Sequence, residues 1–142
     1  MRQRVHLITL GVDDLDRAAA FYDALGWQRV AETPPGLIAY DLLGATLGLY
    51  PRQTLAQDLG RETPPGSGSV TLSCNTRDKV EVDAVLTTAQ AAGASLLRAG
   101  HDMPWGGYGG AFADPEGHIW EVIFNPFSPL GKEDSFQWAG AQ

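Results

Sequence analysis

Apolar positions along the chain fall into two similar series. IleThrLeuGlyVal (Ile8 to Val12) has the content of a strand, and the residues after it place Ala18, Phe21, Tyr22 and Leu25 at helical spacing, with Gly26 as the stop. ValThrLeuSerCys (Val70 to Cys74) opens a second series, with a helix predicted over 80–92 and Gly93 at its end. Asp13 or Asp14 is the expected N-cap of the first helix. Strands are then predicted over 28–33, 36–42 and 46–50 in the first series, broken by Pro34-Pro35 and by Gly44. In the second they are predicted over 69–75, 95–98, 108–113 and 118–124, with 99–107 a loop. Asp114-Pro115-Glu116-Gly117 has the composition of a type I turn.

The two hairpins match in the spacing of their aspartate, glycine and strand positions. Asp41, Gly44 and Gly48 repeat as Asp114, Gly117 and Glu121, so Gly48 and Glu121 occupy equivalent positions, one empty and one carrying a carboxylate. Two βαβββ units in tandem make an α+β protein. Each helix covers one face of a four-stranded sheet, and two such sheets set edge to edge are expected to curl into an open eight-stranded cup. The units are expected at about 5–51 and 68–125, within one domain of residues 1–126. A linker over 52–67 holds one helical turn at 55–59, and a tail of 127–142 packs on the outside or on a partner chain.

Composition narrows the partners. Of 142 residues, 44% are hydrophobic and 19% charged, which suits a packed core. A net charge of -7 argues against nucleic acid, whose phosphates need a basic face, and would draw a cationic small molecule in. Cys74 has no second cysteine to pair with. No leader-like segment or membrane-length apolar run is present, so a cytoplasmic protein without membrane contact is expected.

The segment IleThrLeuGlyValAspAspLeuAspArgAlaAlaAlaPheTyrAspAlaLeuGlyTrp, with PheAlaAspProGluGlyHisIleTrpGluValIlePheAsnPro, resembles the vicinal oxygen chelate superfamily of glyoxalases, extradiol dioxygenases and bleomycin-binding proteins. The likeness runs from about Val5 to Asn125 and implies the glyoxalase-like fold. It also implies a homodimer, with Phe127, Phe136 and Trp138 as candidate contacts. Enzymes of that superfamily hold a divalent metal with four side chains, and the corresponding positions here are Leu7, Gly48, Ser69 and Glu121. Leu7 and Gly48 offer no donor atom, and a neutral Ser69 hydroxyl is a poor ligand. No metal site and no cofactor are therefore expected.

His6 lies one residue from the ligand position and points to the other face by alternation; His118, three residues before Glu121, does likewise. His101, in the loop before Trp105, is the histidine expected at the cup's mouth. Glu121 shares a face with Ile119 and Ile123, a setting that partly desolvates its carboxylate unless a cation or donor meets it. It is the candidate catalytic residue. Its alternatives are a counter-ion for a basic ligand and a structural acceptor for a hydroxyl such as Ser69 or Thr71.

Alternation adds Thr9, Gly11, Tyr50, Thr71 and Ser73 to the lining, with Gly48 leaving extra room. The glycine-rich run from Met103 to Gly110 brings Trp105 and Tyr108, as a mobile flap over a ligand or as a set of tight turns. Two functions stay open. One is a metal-free binder that sequesters a drug or metabolite. The other is a lyase, isomerase or dioxygenase-type enzyme that uses Glu121 as a base or a metal held elsewhere. A cup filled by a partner peptide is a weaker third.

Overall fold

The computed structural model describes residues 1, 3–64 and 66–138. The chain divides into two compact units, Met1–Ser69 and Val70–Gln142.

In the first unit, β1 (Leu7–Val12) leads into α1 (Leu15–Ala24), followed by β2 (Ile38–Leu42), β3 (Ala45–Pro51) and α2 (Arg52–Asp58). Helix α1 starts where Asp14 turns the chain out of extended backbone and its carboxylate accepts the N–H of Arg17 at 2.9 Å. Its buried stripe is Ala18, Ala19, Phe21 and Tyr22. Tyr40 on β2 meets that stripe, and its hydroxyl donates to Ala19 O at 3.0 Å and to Asp23 Oδ1 at 2.9 Å. Burial first, and then the bond to Asp23, push the Tyr40 phenol up to about 12. Arg29 grips the same Asp23, and this bond is the main reason that the Asp23 carboxyl sits below its usual range.

The sheet order is β1-β3-β2, with β1 and β3 parallel and Thr9 opposite Gly48. The strand expected over 28–33 is absent. That segment reaches β2 through one bridge, Arg29 with Tyr40, and one bond, Val30 N–H to Ala39 O at 2.8 Å. Trp27 and Arg29 are drawn onto Tyr22, Tyr40 and Asp23, and the two prolines that follow cannot donate to a ladder. The described residues therefore hold seven strands in sheets of three and four, not eight. The single turn expected at 55–59 is a two-turn helix beginning at Arg52, inside the expected linker.

The second unit repeats the plan more fully. β4 (Thr71–Thr76) leads into α3 (Lys79–Ala91), then β5 (Ser95–Asp102), β6 (Tyr108–Ala113) and β7 (Ile119–Phe124), with sheet order β4-β7-β6-β5. Asp78 caps α3 by accepting the N–H of Glu81 at 2.8 Å, while Glu81 Oε2 accepts the N–H of Arg77 at 2.7 Å. Val82, Leu86 and Ala89 are the buried positions of α3. Strand β5 runs through residues expected to be a loop, and its register against β6 shifts twice, between Leu96 and Arg98 and between Arg98 and His101. Such bulges break the alternation by which a strand is read from sequence.

The two units give a structural alignment of the repeat. β1 and β4 are each six residues long and each ends two residues before an aspartate N-cap, so Leu7 corresponds to Thr71 and Thr9 to Ser73. The same correspondence appears across the sheets, where Thr9 opposes Gly48 and Ser73 opposes Glu121. Ser69, expected as the counterpart of Leu7, lies two residues before β4 and is exposed.

Candidate functional site

The face of the second sheet that carries Glu121 borders a cavity of about 650 Å³. Its floor is Ser73 and Asn75 from β4 with Glu121 and Ile123 from β7, placed side by side by the parallel register Ser73 to Glu121 and Asn75 to Ile123. Ser73 Oγ donates to Glu121 Oε2 at 3.1 Å, so a hydroxyl meets the carboxylate. It is Ser73, not Ser69 or Thr71, that does so.

The walls are aromatic. Met103 and Trp105 come from the connection between β5 and β6, and Phe127, Phe136 and Trp138 come from the tail. The tail thus lines this unit's own cavity. It is pinned in three places: Arg77 donates to Gly131 O at 3.3 Å and pairs with the Asp134 carboxylate, and the buried Ser128 hydroxyl donates to Trp138 O. Phe136 and Trp138 meet edge to face, 6.4 Å between ring centres and 89° between planes. Even so, Trp138 is 83% exposed and Trp105 48%, so both indoles are open to solvent.

The glycines of this run stand where a side chain would meet its neighbours. A Cβ on Gly107 would lie 2.0 Å from the Trp105 indole, and one on Gly106 would lie 3.1 Å from the Phe127 ring. Gly109 and Gly110 leave room for Ile123 and Leu86. The turn itself is closed by Met103 N–H to Gly107 O at 2.8 Å and Gly106 N–H to Met103 O at 2.9 Å, with Gly106 at φ +100°.

Several expected site residues stand elsewhere. Tyr108 donates to Asp83 on α3 at 3.0 Å, which raises its pKa, and Lys79 stands 5.3 Å from its ring centre; this is the helix side of the sheet. His101 is on β5, not in a loop, with Nδ1 3.0 Å from Ala99 O, and it does not line the cavity. Ile119 shares Glu121's strand face beyond the lining, and Thr71 is its register partner.

In the first unit, Leu7, Thr9 and Gly48 gather on one face of the sheet. Gly48 leaves no extra room, because Leu37 Cδ1 and Leu7 Cδ1 stand 3.2 and 3.4 Å from where its Cβ would be. Tyr50 donates to Asp58 of α2 at 3.0 Å, and that bond raises its pKa.

The donor set does not fit a resident metal. Leu7 and Gly48 give no donor atom, and the counterpart of Leu7 is Thr71, a neutral hydroxyl like Ser69. Among the described residues no three histidine, cysteine, aspartate or glutamate side chains converge. No helix among them is long and apolar enough to cross a membrane.

A family model described as the Glyoxalase/Bleomycin resistance protein/Dioxygenase superfamily matches residues 4–122. A glyoxalase-related enzyme from Fulvimarina pelagi is similar in structure with a TM-score of 0.89 and 39% identity, over 97% of this chain and 99% of that one. A lactoylglutathione lyase from Agrobacterium tumefaciens is similar with a TM-score of 0.68 and 28% identity, over 87% and 94%. A glyoxalase/bleomycin resistance protein/dioxygenase from Nocardioides, at 23% identity and a TM-score of 0.74 over 93% and 90%, shares the fold. No curated protein matches the chain.

Proposed function

Because this chain belongs to the glyoxalase/bleomycin resistance protein/dioxygenase superfamily, we propose that it binds a small organic molecule in the cavity of its second unit without a resident metal. The observation that carries this reading is the cavity itself: about 650 Å³, floored by one carboxylate and walled by Trp105, Phe127, Phe136 and Trp138. That volume is in the range of sites for drug-sized ligands, and apolar walls with few polar groups are what such ligands need. Sequestration of a drug or metabolite would use the site as it stands. A cytoplasmic location and a homodimer belong to the same proposal.

Thermal-shift screening of the purified protein against planar aromatic compounds tests it, since a ligand that prefers the native state raises its melting temperature. The expected hit binds at one site per chain, quenches tryptophan fluorescence through Trp105 and Trp138, and is unaffected by a chelator. Binding that needs an added divalent metal, or that survives Trp105→Ala and truncation after Asn125 unchanged, would refute the proposal.

An enzyme is the second reading, favoured by the hydrogen bond from Ser73 to Glu121 Oε2 on the cavity floor and by the likeness to a glyoxalase-related enzyme from Fulvimarina pelagi. There Glu121 would act as general base in a proton transfer, isomerisation or elimination. Turnover of a substrate that persisted in Glu121→Gln would end that role.

A further inference from the structure

Resting on the binding site proposed above, we infer that the ligand is an organic cation with a flat apolar body, its charge seated between the aromatic walls and Glu121. The inference comes from what the cavity lacks. Among its described lining residues Glu121 is the only ionisable group, and none is a lysine, arginine or histidine. Ser73 supplies a neutral hydrogen bond to one carboxylate oxygen and leaves the charge uncompensated. Arg77, on the connection after β4, is engaged by Gly131 and Asp134 of the tail.

The walls point the same way. The perpendicular Phe136 and Trp138 rings form a corner, and Trp105 lies over Gly107 with Phe127 against Gly106. Ring faces are the negative side of an aromatic quadrupole, so a weakly hydrated cation set among several rings is attracted without any ion pair. A carboxylate alone would accept any cation, and rings alone would accept any flat molecule. Together they select a ligand that is both. The chain's net charge of -7 adds long-range attraction of the same sign.

The probes are 1-methylquinolinium and its uncharged isostere 1-methylnaphthalene, titrated by tryptophan quenching into the full chain and into Glu121→Gln and Phe136→Leu. The cation is expected to bind at least about tenfold more tightly than the isostere, as a desolvated cation–π contact together with a carboxylate provides. Glu121→Gln should lower cation affinity about tenfold and leave the isostere unchanged, and Phe136→Leu should weaken both. Equal affinities in the wild-type chain, with the isostere still bound and Phe136→Leu still weakening it, would overturn the cation while sparing the binding site. Failure of both probes to bind would overturn the cation and the site together. Circular dichroism of each variant confirms that it is folded, and a second neutralising variant, Glu121→Leu, must reproduce the selective loss.

Discussion

Ser73 and Glu121 face each other directly across the parallel pair β4 and β7, and the serine hydroxyl donates to Glu121 Oε2 at 3.1 Å. The corresponding pair in the first unit is Thr9 and Gly48, where Leu37 fills the space over the glycine. One unit therefore keeps an acid on its open face and the other seals the same place with apolar side chains. Because Ser73 is exposed and Glu121 half-buried, the bond contributes little to folding; Ser73→Ala is expected to cost less than about 1 kcal/mol in denaturant unfolding. A cost near that of a buried, unsatisfied charge would show that the carboxylate is structural.

Gly107 separates packing from motion in the loop. Gly107→Ala puts a methyl group where the Trp105 indole lies, so the ring must leave. A shifted tryptophan emission and weaker binding of any ligand of the cavity are expected, with unfolding changed by no more than about 1 kcal/mol because Trp105 is half exposed. Unchanged emission would mean that the indole does not rest there.

Gly110 has no such escape. A Cβ there would stand 2.6 Å from Arg98 O of the paired strand and 2.6 Å from Leu86 Cδ1 of α3. Gly110→Ala should destabilise the protein by about 1–3 kcal/mol, read from the urea midpoint at constant m. A neutral result would count against this close approach of α3 to the sheet.

Tyr40 makes stability fall in alkali. Its folded pKa of about 12 lies above the value of about 10 in an unfolded chain, so below pH 10 both states hold the proton and the contribution is complete. Between pH 10 and 12 only the unfolded chain ionises, and on the order of 2 kcal/mol should be lost as pH rises. Tyr40→Phe should be less stable at pH 7, having lost the bonds to Ala19 and Asp23, yet its stability should decline less over pH 10–12. Parallel pH curves for the two proteins would contradict this.

The helix starts are local and should behave so. Asp14→Ala and Asp78→Ala should each cost about 1 kcal/mol, additively in the double variant, since each carboxylate accepts a first-turn N–H of a different helix. Thermal unfolding of the three variants checks this.

Features set by neighbours in sequence were legible before any coordinates. The aspartate caps, the helical stripes and the turn from Asp114 to Gly117 depend on residues within one or two turns, and so does the face on which Glu121 stands. The resemblance carried by the two signature segments identified the fold class. Tertiary structure decided the rest. The resemblance placed Ser69 in Leu7's role in the second unit, whereas the backbone places Thr71 there; a slip of two residues keeps every side chain on its face, so alternation cannot reveal it. The bulges of β5 hid a strand inside an apparent loop, and the pull of Asp23 and Tyr40 on residues 27–30 removed one. Above all, no periodicity in residues 126–138 says what they cover. Their aromatics line Glu121's cavity because Arg77 and Ser128 hold the tail there, contacts that no helical or strand period encodes and that exist only once the chain has folded.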